Sequence, residues 1–167
     1  NCTELKELSL SRTNLCEQSV DFLVSNLTSK IEKLDLFDMH YLRDKHVKKL
    51  VTRCNNKTEL NLGGWTKITK QSLSFIIENL NLTLVKLSFE PTTVRFNLND
   101  LLQLKRMKKL KHLCYDMDDW LKQQLPNIRI HFKPGNRRIA IPCQPKYNSY
   151  NKGFWEIKAD QEELFST

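Results

Sequence analysis

One pattern returns along this chain at a fixed interval and limits what it can fold into. Leu5-Lys-Glu-Leu8-Ser-Leu10 is followed by Ile31-Glu-Lys-Leu34-Asp-Leu36, Lys57-Thr-Glu-Leu60-Asn-Leu62, Leu84-Val-Lys-Leu87-Ser-Phe89, Leu110-Lys-His-Leu113-Cys-Tyr115 and Leu125-Pro-Asn-Ile128-Arg-Ile130. The central apolar residue advances by 26, 26, 27, 26 and then 15 positions. Within each copy the alternation of apolar and polar residues has the period of a strand. Between copies lie apolar stripes at helical spacing: Val20, Leu23, Val24, Leu27; Val47, Leu50, Val51, Cys54; and Leu73, Ile76, Ile77, Leu80. Asn99-Asp100 predicts a helix start before Leu101, Leu102 and Leu104, and Asp118-Asp119 one before Trp120, Leu121 and Leu125, with Pro126 ending that helix. Gly63-Gly64 supplies a tight turn off the third strand.

A strand–helix unit of this length cannot bury its apolar face alone, and a period of about 20–29 residues is that of leucine-rich repeats. The expected fold class is therefore α/β, a leucine-rich-repeat solenoid in the form of a right-handed horseshoe. About five units and a short terminal one fill residues 1–132, and a C-terminal tail fills 133–167. Leu8, Leu10 and their equivalents point inward, and the alternating residues form the open, concave face. The chain opens mid-pattern at Leu5, so further units are expected before it.

Composition narrows the function. The 167 residues carry a formal charge of +8, and no apolar run reaches the length a membrane helix needs, so neither a membrane nor a bilayer anchor is expected as partner. Five Cys without a C-x-x-C argue against a disulfide framework and a zinc site; reduced thiols are expected, and no metal or cofactor. Four N-x-S/T sequons, at Asn1, Asn26, Asn56 and Asn81, support an extracellular ligand-binding domain as the alternative. No paired carboxylates, nucleophile elbow or phosphate loop is present, so a non-catalytic chain is expected. Aligning the last strands on Leu113 and Ile128 pairs Asp116 with His131. Lys105-Arg106-Met107-Lys108-Lys109-Leu110-Lys111-His112 reads as the solvated end of the fourth helix, because nucleic-acid binding would want aromatics interleaved with the basic run. After residue 132 the pattern breaks, yet Tyr147, Tyr150, Phe154 and Trp155 are more apolar than a solvated linker holds, so the tail is expected to fold back on the concave face.

The stretch Leu60-Asn-Leu62-Gly-Gly-Trp65-Thr-Lys-Ile68-Thr-Lys-Gln-Ser-Leu73 resembles the repeat of F-box/leucine-rich-repeat proteins, the substrate-reading subunits of cullin–RING ubiquitin ligases. Leu125-Pro126-Asn127-Ile128-Arg129-Ile130, Ile139-Ala140-Ile141-Pro142, Asn151-Lys152 and Trp155-Glu156-Ile157-Lys158 resemble a C-terminal tail of that family, and Lys45-His46-Val47 fits its middle repeats. The resemblance implies a monomeric substrate-recognition module acting in nucleus and cytoplasm. It would bind a phosphorylated cell-cycle regulator together with a Cks-type accessory protein, and reach adaptor and cullin through an F-box outside these residues. Carried over by position, the implied protein-binding residues are Asp35, Phe37, Asp38, Asn61, Trp65, Lys86, Glu90, Asp116, Tyr147, Phe154 and Trp155.

Overall fold

A computed structural model describes residues 4–64, 67–89, 96–115 and 119–131, the last stretch without the side chains of Asp119 and Trp120. The elements alternate: β1 (Glu7–Ser9), α1 (Glu17–Asn26), β2 (Lys33–Asp35), α2 (Asp44–Arg53), β3 (Glu59–Asn61), α3 (Lys70–Leu80), β4 (Lys86–Ser88), α4 (Leu98–Leu102), a 3-10 turn (Gln103–Arg106), β5 (His112–Cys114), α5 (Asp119–Gln124) and β6 (Arg129–His131). The strands form one all-parallel sheet in chain order, with Leu8, Leu34, Leu60, Leu87, Leu113 and Ile130 in register across it. Pairing runs beyond the short strands: Leu36 N donates to Asn61 O at 2.9 Å and Phe89 N to Cys114 O at 3.0 Å.

The sheet and helices share one core. Leu34, Leu36, Leu60, Leu62 and Leu87 from the sheet pack with Val47, Leu50, Val51, Leu73, Ile76 and Leu80 from the helices in a single buried cluster. The helices therefore cover one face of the sheet, and among the described residues no element covers the other, called the open face below. Local signals start the helices where they do. Thr69 Oγ1 accepts from Gln71 N at the start of α3. Asn97 and Asp100 close a reciprocal capping box on α4, two residues earlier than Asn99-Asp100 predicts. Asp44, in the first turn of α2, accepts from Thr69 N at 2.8 Å and ties the second crossover to the third.

The leucine-rich-repeat horseshoe is corrected here to a plainer architecture, an α/β fold with, among the described residues, a six-stranded all-parallel sheet and five α-helices. The period sets the spacing of the strands but does not carry through the helical layer. Three helices of 10, 10 and 11 residues are followed by helices of 5 and 6, so the units are not of constant build. Where α4 is short, rings fill the core instead: Phe96 meets Phe89 edge-on at 4.9 Å and Tyr115 at 5.5 Å, and Tyr115 Oη accepts from Phe96 N. The expected fold-back of the tail, 133–167, lies outside the described residues.

Candidate functional site

The open face carries two polar rows, one residue per strand in each. The first is Glu7, Lys33, Glu59, Lys86, His112, Arg129 and the second Ser9, Asp35, Asn61, Ser88, Cys114, His131. Period-2 alternation puts both rows on the side away from the helices, and parallel register aligns them across the sheet.

The second row is largely internal to the sheet. Asp35 is 4% and Asn61 6% exposed. Asp35 accepts from Ser9 Oγ at 3.3 Å, Phe37 N at 3.0 Å and Asn61 Nδ2 at 3.0 Å, and Asn61 Oδ1 accepts from Gly63 N at 3.1 Å. The same side-chain-to-backbone turn thus recurs in consecutive units. Burial raises the Asp35 pKa above its ordinary range, against the lowering effect of its hydrogen bonds. A raised carboxyl pKa means that the folded state binds more protons, so this stabilising contribution falls as pH climbs through the window just above 3.8. Asp35→Asn keeps both acceptor bonds at Oδ1 and can donate to Ser9 Oγ. It is expected to change neutral-pH stability by less than about 1 kcal/mol and to flatten the acid-side stability curve, read by denaturant titration across pH.

The first row is the accessible one. Lys33 Nζ lies 2.7 Å from Glu7 and 3.8 Å from Glu59, and Lys86 Nζ 3.7 Å from Glu59. The Glu7 contact leads the forces that raise the Lys33 pKa. Phe37 and Asp38 stand half-buried at the strand ends, with the Arg12 guanidinium 5.5 Å from the Phe37 ring centre. Of the residues the family resemblance points to, the structure brings Asp35, Asn61 and Lys86 onto this face and sets Phe37 and Asp38 in the turn after β2. Trp65, Glu90, Asp116, Tyr147, Phe154 and Trp155 lie outside the described residues. Glu7, Lys33, Glu59 and Arg129 are missing from that set, although the alternation marks them as open-face residues.

The alignment of Leu113 with Ile128 does not fit the observed register, and Asp116, which it would set against His131, lies outside the described residues. The sheet pairs Leu113 with Ile130, which sets His131 opposite Cys114. His131 Nε2 instead meets His112 Nδ1 at 2.9 Å.

Among the described residues one cluster has the composition of a metal site: Glu17 and Asp21 on α1 with His46 on α2. Its hydrogen bonds argue against that use. His46 is buried and its Nδ1 accepts from Arg43 N at 3.0 Å, so the neutral ring carries its proton on Nε2, toward Asp21 Oδ1 at 3.1 Å. The nitrogen facing the carboxylates therefore has no lone pair for a cation. Lys45 lies 3.1 Å from Glu17 and 3.2 Å from Asp21, and Arg43 3.4 Å from Glu17, so the two acids are already balanced. The Lys45 hydrogen bond leads the forces lowering the pKa of both. The cluster fastens α1 to α2. Cys16, Cys54 and Cys114 form no disulfide; Cys54 donates to Thr28 O at 3.3 Å.

No protein-family model matches the chain, and no curated protein matches it. Among solved structures it is similar to leiomodin-1 actin-binding site 2, with a TM-score of 0.53 and 14% identity over 75% of this chain and 79% of that one. At that identity the likeness concerns fold alone. It is a likeness to an actin-binding segment rather than to a leucine-rich-repeat solenoid, and it overturns the solenoid assignment drawn from the 26-residue period; the six-stranded α/β fold is what stands.

Proposed function

We propose that this chain is a non-catalytic polypeptide-recognition module that binds its partner across the open face of the sheet. The observation that carries this reading is the first row, one charged or ionisable side chain per strand aligned over six strands. Such a row offers register and sign to an extended partner, and electrostatic complementarity of that kind favours specificity and encounter rate. The resemblance to F-box proteins supports a finer reading: the substrate-receptor part of a cullin–RING ubiquitin ligase, in nucleus and cytoplasm. Its partners would be a phosphorylated cell-cycle regulator and a Cks-type accessory protein.

The test reverses the row while keeping its internal pairs. Glu7→Lys, Lys33→Glu, Glu59→Lys and Lys86→Glu together retain every opposite-sign contact and invert what a partner meets. The wild-type chain is expected to retain a purified Cks-type protein with a phosphorylated inhibitor peptide, and the reversed chain to lose both by at least about tenfold in affinity. Equal retention by both chains would refute the open face as the binding surface. The sequons support the alternative, an extracellular ligand-binding domain: Asn26 ends α1 and Asn81 caps α3, both at helix ends. A glycosidase-sensitive mass on the secreted chain would favour it.

A further inference from the structure

The first row changes character at its far end. From β1 to β4 acid and base alternate and pair with one another, whereas from β4 to β6 the row runs Lys86, His112, Arg129. At that end His112 Nδ1 and His131 Nε2 are 2.9 Å apart, with ring centres at 5.2 Å and planes 24° apart. The centre separation is close to the hydrogen-bond length plus two imidazole radii, so the rings meet end to end rather than face to face. Two neutral imidazoles in this arrangement hold one proton between the facing nitrogens. A first added proton goes to an outer nitrogen, His112 Nε2 or His131 Nδ1, and the inner bond becomes charge-assisted. A second would set N–H against N–H and break the bond. The pair therefore takes up one proton as a unit.

Burial, the largest influence, lowers both pKa values from the usual 6.5. Charge lowers them further: Lys86 on β4 and Arg129 on β6 act on both, Lys111 ahead of β5 on His112 and His112 itself on His131, with Glu59 on β3 acting the other way on His112. Cys114 stands opposite His131. The unliganded pair is thus neutral near pH 7 and ready to gain a charge when an anion arrives.

We propose that the β4–β6 end of the open face receives an acidic segment of the partner polypeptide, whose carboxylates sit over Lys86, His112 and Arg129 and draw one proton onto the histidine pair. This rests on the polypeptide-recognition reading above. Charge complementarity chooses the occupant, because two cations flank a pair that can become a third. A carboxylate over the pair favours its charged form, so the complex binds more protons than its separated parts. Affinity then rises as pH falls through the histidine range.

The measurement is fluorescence anisotropy of a short Glu-Ser repeat peptide titrated with the full chain at about pH 8 and about pH 6. Wild type is expected to bind about three- to tenfold more tightly at the lower pH, as uptake of up to one proton requires. His131→Gln and, as a second variant in case the first unfolds, His112→Gln should lose the gain and bind the peptide equally at both pH values, with circular dichroism reporting the fold. Equal wild-type affinity at both values, a gain that survives in a folded variant, or equal binding of a Gln-Ser peptide would each overturn the proposal. If the Glu-Ser peptide fails at both values while the row reversal still abolishes partner capture, this inference falls and the recognition reading stands. If the reversal also has no effect, both fall.

Discussion

Gly64→Ala is expected to lower stability by about 3 kcal/mol, adding a left-handed backbone strain of ~1–2 kcal/mol to an overpacking cost of similar size. Gly64 has φ +90°, a region that disfavours any Cβ, and a Cβ built there stands 2.5 Å from both Cα and N of Asp38. Those are backbone atoms and cannot swing aside. The contact arises because the turns after β1, β2 and β3 stack on one another. Arg12, Asp38 and Gly64 follow Leu10, Leu36 and Leu62 by two residues and all have positive φ, 59°, 60° and 90°. Arg12 N donates to Phe37 O at 2.8 Å and Asp38 N to Gly63 O at 2.9 Å, which holds successive turns at hydrogen-bond distance. A methyl at 64 forces the second and third turns apart at the rim of the open face. Thermal unfolding is expected to shift down by roughly 10 °C. A change of under about 1 °C would mean that the turn stack is looser than its geometry.

How much of this was legible in the sequence depends on which interaction sets each feature. Strand positions were legible because apolar alternation and a 26-residue step are directly visible, and the register through Leu8, Leu34, Leu60, Leu87 and Leu113 follows from them. The last strand was misplaced by two residues. Ile128 and Ile130 are both apolar and share a face, and a two-residue slip preserves every in–out assignment. What decides between them is the backbone: Ile128 N turns back to Leu125 O, while Arg129 N bonds to Lys111 O. That slip hid the His112–His131 pair. The period also invited a family-level shape that spacing alone does not determine, since it says nothing of the helices' lengths. On the open face, alternation identified Asp35 and Asn61 but not their burial or the hydrogen bonds that join them. Gly64 announced its turn, whereas Arg12 and Asp38, with ordinary side chains, did not announce theirs.

Lys57 shows the opposite relation, an anomaly visible in the sequence whose energetics only the structure supplies. It occupies the apolar position held by Ile31, Leu84 and Leu110 in neighbouring units, and it is fully buried there. Its Nζ donates to Ile31 O. Burial is the leading cause of a pKa lowered from 10.5, with Cys54 acting weakly the other way. Lys57→Met keeps the length of the side chain, removes the buried amine and leaves one carbonyl without its donor. Relief of the desolvation cost outweighs that lost bond, and stability at neutral pH is expected to rise by about 1–2 kcal/mol. The pH dependence separates this cause from simple packing. Between the lowered folded pKa and the unfolded value near 10.4, the unfolded chain binds more protons than the native one, so wild-type stability climbs with pH across that window. The Met variant lacks this rise, and its advantage should be greatest below the window and shrink toward its alkaline end. Denaturant midpoints of both chains at neutral and alkaline pH measure it. An advantage independent of pH would assign the gain to packing, and a loss of stability would mean that the Ile31 carbonyl contact outweighs the buried charge.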